Sequence, residues 1–288
     1  MTTQRALVAG AGLMGHGIAQ VLATTGRSVT LYVPVPTHAE AGRERIAGNL
    51  DRLVAKKRLT PEDRDDILAR IRATDDLDDA TADVDLVVEA VPEDVDVKKE
   101  LWNELDRRVP EEAIFATNTS SISIDLLAAS VGGPRRRRFV GMHFFSPVPV
   151  MPLVELIRGS ATSDETEATV RGLAGELGKR VIVAADRPGF IVNRILMPFL
   201  AEAMRALESG VGTAEDIDTG AKVGLNHPMG PLELADFIGL DICLEIMGVL
   251  HEELGGPHFP PPKALVDLVE AGHLGQKTKQ GFYSYPRS

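Results

Sequence analysis

A glycine-rich turn between a short apolar strand and a helix constrains the fold of this chain more than any other feature. Residues 10–15 read Gly-Ala-Gly-Leu-Met-Gly, after the apolar run at 6–9 and before the helical pattern at 18–23. Residues 28–33, rich in β-branched and aromatic side chains, complete a strand–helix–strand unit of about 30 residues. We expect two parallel strands joined by a right-handed helical crossover.

The three glycines have the spacing of a dinucleotide-binding turn. Gly10 permits a tight turn, Gly12 lets the backbone approach a pyrophosphate, and Gly15 lets the helix pack on the strand. The helix N-terminus then faces the phosphates, so Leu13 and Met14 in this turn are also candidate cofactor contacts. A glycine-rich turn that binds no ligand is the alternative.

The end of the second strand departs from this motif. An Asp or Glu is usual there and binds the ribose hydroxyls of NAD, but this chain has Val33, and its next acid is Glu40. A hydrogen bond to a charged group contributes about 1.5–3 kcal/mol, so its loss weakens the expected NAD affinity about 10- to 100-fold. No Arg directly replaces the acid, although Arg43 or His38 are near in sequence. The motif predicts a dinucleotide and leaves both NAD and NADP open.

Buried-strand patterns recur and alternate with helical segments over the first two thirds of the chain. They occupy residues 85–91, 113–117, 139–145 and 181–184. This alternation predicts a doubly wound α/β sheet of the Rossmann type. One insertion, residues 40–72, has the pattern of a helical hairpin whose second helix begins at Thr60 and Pro61.

The alternation of strands and helices ends at residues 186–189, Asp-Arg-Pro-Gly, and this segment indicates a linker. Beyond it, helical periodicity dominates in residues 190–208, 213–223, 232–254 and 263–271. With 288 residues, about two domains are expected. We therefore predict a dinucleotide-binding domain at residues 1–187 and an all-helical domain for substrate and dimerisation at residues 188–288.

Composition excludes several classes of protein. Lys and Arg number 31 against 42 Asp and Glu, a net charge of -11, which opposes binding to nucleic acid or anionic membrane surfaces. No apolar run approaches the ~20 residues of a membrane span, and no signal-peptide pattern precedes the first strand. The single cysteine, Cys243, excludes an intramolecular disulfide, and no histidine spacing indicates a metal site. We expect a cytoplasmic protein.

Polar residues within or just after apolar strands are candidate site residues. Ser120, in the Asn-Thr-Ser-Ser segment from Asn118, follows a strand, where ligand-binding groups collect in open α/β sheets; a polar turn capping the next helix is the alternative. His143 and Glu155 each lie inside an apolar segment, where an unpaired polar group is costly. Pairing removes that cost and also tunes a general base, although a purely structural pair remains open.

Two further features concern ligands. Asn193 opens the second domain on an otherwise apolar helix, where it either contacts substrate or caps a loop. The first arm of the insertion carries a basic cluster, which stands out in an acidic protein and consists of Arg52, Lys56, Lys57 and Arg58.

Together these segments resemble the 3-hydroxyacyl-CoA dehydrogenase family, particularly its short single-function 3-hydroxybutyryl-CoA dehydrogenases. The likeness covers nearly the whole chain. Besides the glycine turn, the matching blocks are Val-Val-Glu-Ala-Val-Pro-Glu from Val87, Asn-Thr-Ser-Ser from Asn118, Met-His-Phe-Phe-Ser-Pro from Met142, Pro-Gly-Phe-Ile-Val-Asn-Arg from Pro188, Asn-His-Pro-Met-Gly-Pro from Asn226 and Gly-Phe-Tyr-Ser-Tyr from Gly281.

The resemblance implies a Rossmann domain, a helical domain that dimerises, and an active site in the cleft between them. It implies oxidation of an (S)-3-hydroxyacyl-CoA to the 3-oxoacyl-CoA with a nicotinamide cofactor. On this chain His143 is then the general base, and Glu155 orients and supports its imidazolium. Ser120 and Asn193 are then hydrogen-bonded to the reacting oxygen or the thioester carbonyl.

The resemblance also implies ligand contacts elsewhere. Cofactor contacts are implied at Glu93, Lys98 and Lys277, together with Ser120. Arg52 and Lys56 fall on the helical arm that meets the phosphates of CoA, and Ser120 also contacts substrate.

Two positions depart from the family pattern, Val33 in place of an acid and Ser146 in place of an Asn beside nicotinamide and substrate. Both touch ligands, so we expect altered cofactor or substrate choice and not a dead enzyme. Two alternatives stay open: a relative that acts on a carrier-protein-bound or free hydroxy acid, and a non-catalytic dinucleotide-binding protein.

Overall fold

The computed structural model describes residues 3–256 and 260–286. The chain divides into two compact units, Met1–Arg187 and Pro188–Ser288. The first unit contains a sheet flanked by helices, and the second is built from helices.

The first unit follows an alternating order of strands and helices. Its strands are β1 (Arg5–Ala9), β2 (Ser28–Tyr32), β3 (Ile71–Thr74), β4 (Leu86–Glu89), β5 (Ile114–Thr117), β6 (Phe139–Phe144), β7 (Leu153–Arg158) and β8 (Arg180–Ala185). Its helices are α1 (Leu13–Thr24), α2 (Pro36–Ala55), α3 (Pro61–Ala69), α4 (Leu77–Thr81), α5 (Val95–Arg108), α6 (Ile124–Ala128), α7 (Gly133–Arg136) and α8 (Asp164–Glu176).

The eight strands form one sheet in the order β3-β2-β1-β4-β5-β6-β7-β8. All neighbours are parallel except β6 and β7, which are antiparallel. The predicted doubly wound sheet with a helical hairpin, formed by α2 and α3, is confirmed. Because Ala9 is level with Glu89 and Glu89 with Thr117, three central strands end at the same edge of the sheet. Polar groups that follow these strands are thereby collected at one place.

Two strands were not predicted. Residues 71–72, assigned to the helical hairpin, belong to β3, which pairs with β2 from Val29↔Ile71 to Tyr32↔Thr74. A single residue, Arg70, lies between α3 and β3, and it is not a glycine or proline that would mark the turn in the sequence. Strand β7 follows β6 after a loop and not a helix, as an antiparallel neighbour permits.

The second unit is all-helical, as predicted. Its helices are α9 (Val192–Glu208), α10 (Ala214–Thr219), α11 (Pro231–Ile238), α12 (Leu240–Leu254) and α13 (Lys263–Glu270), with a π-helical turn at Gly220–Gly224 and a 3₁₀ turn at Gln276–Thr278. The single helix predicted for residues 232–254 is wrong, since Gly239, at a φ of 109°, separates α11 from α12. No helix of the described residues is long and apolar enough to cross a membrane.

Two buried aspartates hold the end of the second unit in place. Asp218 accepts hydrogen bonds from the backbone N–H of Leu232 (2.8 Å) at the start of α11 and from the Tyr283 hydroxyl (2.8 Å). Asp236 accepts from the N–H groups of Phe282 and Tyr283, both at 2.9 Å, and from the Tyr285 hydroxyl. Burial raises the pKa of Asp236, although these hydrogen bonds oppose the rise.

Candidate active site

The glycine turn has the shape that a pyrophosphate requires. Gly10 has a φ of 114°, and a Cβ there would lie 2.4 Å from the carbonyl oxygen of Ala90. A Cβ on Gly15 would lie 1.8 Å from the carbonyl oxygen of Gly10. At Gly12, by contrast, no described atom beyond its two chain neighbours comes within 4 Å of the Cβ position, which leaves open space at the N-terminus of α1. None of the described side chains caps this end of α1, and the first N–H groups of a helix point outward from its N-terminus.

Charges of both signs lie near the end of β2, next to Val33. Arg43, the first arginine after Val33 in sequence, donates its Nε to the carbonyl oxygen of Ile71 at 3.2 Å. Burial raises the pKa of Tyr32, the last residue of β2; the positive charge of Arg108 opposes this rise, and the negative charges of Asp75 and Asp76 add to it.

His143 and Glu155 face each other across the antiparallel pair β6–β7. The His143 Nδ1 lies 2.7 Å from the Glu155 Oε2, and both side chains are buried. Because a carboxylate only accepts hydrogen bonds, Nδ1 carries the hydrogen of this bond, and Nε2 is the nitrogen that accepts a proton. The predicted pair therefore exists, in the arrangement of a general base with its orienting carboxylate.

Ser120 lies in a loop that Glu93 holds together. The Glu93 Oε1 accepts from the Ser120 N–H (2.7 Å), the Ser120 hydroxyl (3.1 Å), the Thr119 hydroxyl (2.6 Å) and the Ser121 N–H (3.1 Å). Helix α6, the next helix, is instead capped by Ser123. The polar segment thus fixes its own loop, and the capping alternative does not hold for Ser120.

The same loop is tied to the strand that carries the histidine. The Asn118 side-chain oxygen accepts a hydrogen bond of 2.8 Å from the N–H of Phe144. Phe144 directly follows His143 in β6, so the Ser120 loop and His143 are held at one edge of the sheet.

Sequence reasoning assigned no role to Glu89, which is fully buried at the end of β4. Its Oε1 lies 2.6 Å from the Lys98 Nζ, and Lys98 is itself only 1% exposed. Lys98 also lies 3.2 Å from the Glu93 Oε2. Burial alone would raise the pKa of Glu93, but the Lys98 charge and the hydrogen bonds from Thr119 and Ser120 bring it below its usual value. The signal for Glu89 was a carboxylate inside the buried strand pattern of residues 85–91.

Ser146 is exposed on the loop between β6 and β7. Lys179, also missed from the sequence, pins this loop: its buried Nζ donates to the carbonyl oxygens of Val148 (2.6 Å) and Met151 (2.8 Å). Burial lowers the pKa of Lys179.

A groove of about 620 Å³ in the first unit brings the two predicted phosphate ligands together. Arg52 and Lys56 line one wall with Arg45 and His16, and the loop at residues 147–150 forms the other. None of the groove's lining residues is acidic. Such a surface suits an anionic ligand.

The remaining candidates lie in the second unit. Asn193 is buried in the first turn of α9. The Lys277 Nζ donates to both oxygens of Asp241, at 2.5 and 2.6 Å. Asp241 therefore orients Lys277, a role that the sequence did not indicate.

Comparison with known proteins agrees over the whole chain. Residues 5–187 match the model of the 3-hydroxyacyl-CoA dehydrogenase NAD binding domain, and residues 189–285 match that of its C-terminal domain. A 3-hydroxybutyryl-CoA dehydrogenase of Bradyrhizobium diazoefficiens is 51% identical over 278 residues, covering 96% of this chain and 94% of the relative. One from Mycobacterium tuberculosis is 46% identical and covers 98% of both chains.

Solved structures agree with the fold. The crystal structure of (S)-3-hydroxybutyryl-CoA dehydrogenase PaaH1 from Ralstonia eutropha superposes with a TM-score of 0.95 at 45% identity. The match covers 99% of this chain and 100% of that one. The chain therefore belongs to the 3-hydroxyacyl-CoA dehydrogenase family.

Proposed function

We propose that this protein interconverts short (S)-3-hydroxyacyl-CoA and 3-oxoacyl-CoA with a nicotinamide cofactor. The observation that carries the proposal is the buried His143–Glu155 pair, held at the same sheet edge as the Ser120 loop. The relatives named 3-hydroxybutyryl-CoA dehydrogenase, at 46–51% identity, support the same substrate class.

In this proposal His143 is the catalytic base. Its Nε2 accepts the proton of the substrate's 3-hydroxyl during oxidation and returns it during reduction. Glu155 stabilises the imidazolium through Nδ1, the role of the carboxylate in a catalytic triad. The nicotinamide cofactor, when bound, accepts or supplies the hydride at C3.

Other residues bind and orient the ligands in this proposal. Ser120 and Asn193 hydrogen-bond the reacting oxygen or the thioester carbonyl. The glycine turn binds the pyrophosphate through Gly10, Gly12, Leu13, Met14 and Gly15. The further cofactor contacts that we propose are Val33, Glu93, Lys98, Ser120, Ser146 and Lys277.

We assign the CoA phosphates to the basic groove. Arg52 and Lys56 contribute positive charge, and the groove lacks acidic lining residues. This charge favours a phosphorylated carrier over a free hydroxy acid, the second candidate substrate class.

We propose NAD as the cofactor. Val33 offers no carboxylate to the ribose, but the model that residues 5–187 match is that of an NAD binding domain. Arg43 is engaged with a backbone carbonyl. NADP would add a phosphate dianion to the ribose, next to which Arg43 is already held by that carbonyl.

We further propose a cytoplasmic homodimer formed through the second unit. That unit exposes large apolar side chains, among them Ile195, Val211, Val223 and Leu225, each more than 60% exposed. Exposed apolar side chains of this size are typical of interfaces between subunits.

The first test is reduction of acetoacetyl-CoA by the purified protein, with NADH and NADPH in parallel and with free acetoacetate as the comparison substrate. We expect turnover of the thioester with a preference for NADH. Turnover of acetoacetate alone would overturn the substrate assignment, and a preference for NADPH would overturn the cofactor assignment. No turnover of either substrate would contradict the proposed activity.

The basic groove is tested by Arg52→Ala combined with Lys56→Ala. The KM for acetoacetyl-CoA should rise about tenfold or more, because each lost ion pair with a phosphate removes about 1 kcal/mol or more. Arg58→Ala is the matched control: Arg58 is exposed on the same arm but does not line the groove. An equal rise in KM in both variants would place the CoA phosphates elsewhere.

A further inference from the structure

The packing of the sheet does not require the buried Glu89–Lys98 ion pair next to the Ser120 loop. Leu86, Val87 and Val88 of β4 are all apolar and fully buried, so an apolar side chain would suit position 89 equally well. The chain instead places the Glu89 carboxylate there, against the Lys98 ammonium. Charges of this kind are stable in an interior only when they are paired and hydrogen-bonded.

We propose that Glu89 is a positioning residue, which acts through the Lys98 ammonium to hold the Glu93 carboxylate in place so that Glu93 fixes the Ser120 hydroxyl. The inference rests on the proposed function in one respect, namely that Ser120 contacts the substrate or cofactor.

Glu89 is locked by neighbours on both sides. Its Oε2 accepts from the Thr117 hydroxyl on β5 at 2.6 Å, and its Oε1 accepts from the Val91 N–H at 2.8 Å. The remaining bond, 2.6 Å from the Lys98 Nζ to Oε1, joins it to α5. A carboxylate held by a strand, a loop and a helix has little freedom to rotate.

Lys98 links the fixed Glu89 carboxylate to Glu93. Its ammonium, on the first turns of α5, lies 2.6 Å from Glu89 and 3.2 Å from Glu93. Two carboxylates thus share one cation. If Glu93 moved away, it would lose its ion pair with the buried Lys98, so this contact favours the position that Glu93 occupies.

The other carboxylate oxygen of Glu93 accepts hydrogen bonds from the Ser120 loop. Oε1 accepts from the N–H groups of Ser120 and Ser121 and from the Ser120 hydroxyl. The series of contacts from Glu89 through Lys98 and Glu93 therefore ends on the group that we propose to face the substrate.

The test compares Glu89→Gln with a control on the same helix. Gln keeps the shape of Glu89 but removes the charge that anchors Lys98. We expect kcat/KM for acetoacetyl-CoA to fall about 10- to 100-fold, because a displacement of about 1 Å at a reacting group has that effect. The control is Arg108→Ala, which removes a cation of α5 that pairs with Asp78 and Glu104 at the surface. Its kcat/KM should stay at the wild-type value.

A double-mutant cycle separates positioning from a general structural effect. In the Ser120→Ala background the same Glu89→Gln change should have little further effect on kcat/KM, because its route to the substrate has already been removed. Full additivity of the two losses would overturn the inference. Thr117→Val, which removes one hydrogen bond and no charge, should give a smaller loss than Glu89→Gln.

Amide hydrogen exchange tests the inference without any substrate. The Ser120 and Ser121 amides donate to Glu93, so they should exchange faster in Glu89→Gln and remain protected in Arg108→Ala. If exchange changes as expected but wild type does not turn over acyl-CoA, the proposed function fails while the positioning stands. Unchanged exchange at both serines, or faster exchange throughout the first unit, would overturn the positioning itself.

Discussion

The two units of this protein bury carboxylates in different ways. In the first unit Glu89 and Glu155 are fully buried against a lysine and a histidine, partners that carry or accept a proton. In the second unit Asp218 and Asp236 are equally buried, but the hydrogen bonds described for them come from backbone N–H and tyrosine hydroxyl groups. Neutral donors hold chain segments together, whereas ionisable partners also set the charge and direction of a neighbouring group.

The kind of partner that a buried carboxylate has distinguishes residues expected to act in catalysis from residues that stabilise the fold. Asp218 holds the start of α11 and the Tyr283 hydroxyl in place. Glu155 holds one imidazole in one orientation. We therefore expect substitutions in the first set to affect turnover more than stability, and substitutions in the second set to do the reverse.

The largest expected effect is on His143. His143→Ala should lower kcat for acetoacetyl-CoA reduction by about 10²- to 10⁴-fold, the contribution of general acid–base catalysis. Steady-state kinetics measure the loss of turnover, and the melting temperature of the same sample measures any change in stability. Glu155→Gln keeps the shape of the carboxylate and should also lower kcat. Retention of most activity in His143→Ala would remove this pair from the mechanism.

A smaller effect, on stability, is expected from Asp218→Asn. The amide keeps one acceptor oxygen but loses the charge, so unfolding should become easier by about 1–3 kcal/mol. Calorimetry measures this change, and kcat/KM assayed well below the melting temperature should stay near the wild-type value. A variant that melts like wild type but turns over poorly would contradict the division between the two units.

The smallest effect is a difference in pH dependence. The pKa of Glu93 is lowered in the folded protein, so its contribution to stability is present at neutral pH and is lost as the pH falls. The pKa of Asp236 is raised, so its ionisation lowers stability as the pH rises, and protonation restores it.

The cost of Glu93→Gln should therefore shrink between pH 7 and acidic pH, whereas the cost of Asp236→Asn should grow. Denaturant unfolding of both variants against wild type, followed over this range, measures the two slopes. If the stability cost of both substitutions changed with pH in the same direction, the two units would not differ in how their buried carboxylates respond to pH.

The overall fold was predictable because its signals are local. The glycine turn, the alternation of strands with helices and the Pro-Gly linker each lie within a few residues of sequence. Strand β3 was missed because only Arg70 separates it from α3, with no Gly or Pro to mark the turn. Strand β7 was missed because an antiparallel neighbour needs no helical crossover. Gly239 ends a helix through a positive φ, which an apolar helical pattern conceals.

The sequence indicated site residues only where a polar side chain lies inside an apolar segment. His143 and Glu155 are polar side chains in apolar strands, and that conflict indicated their pairing. Glu89 presents the same conflict, but its partner Lys98 comes from a helix whose approach depends on tertiary packing. The role of Glu93 depends on where five donors of a loop converge, which no spacing in the sequence specifies.

The antiparallel pairing of β6 with β7 has a consequence for how this protein tolerates change. His143 is directly opposite Glu155, and successive residues of a strand point to opposite faces of the sheet. A slip of one residue would turn Glu155 to the other face and leave both groups buried without each other. Insertions and deletions are therefore tolerable in the loop at residues 145–152 only if that loop absorbs them completely, so loop-length libraries should keep both strands intact.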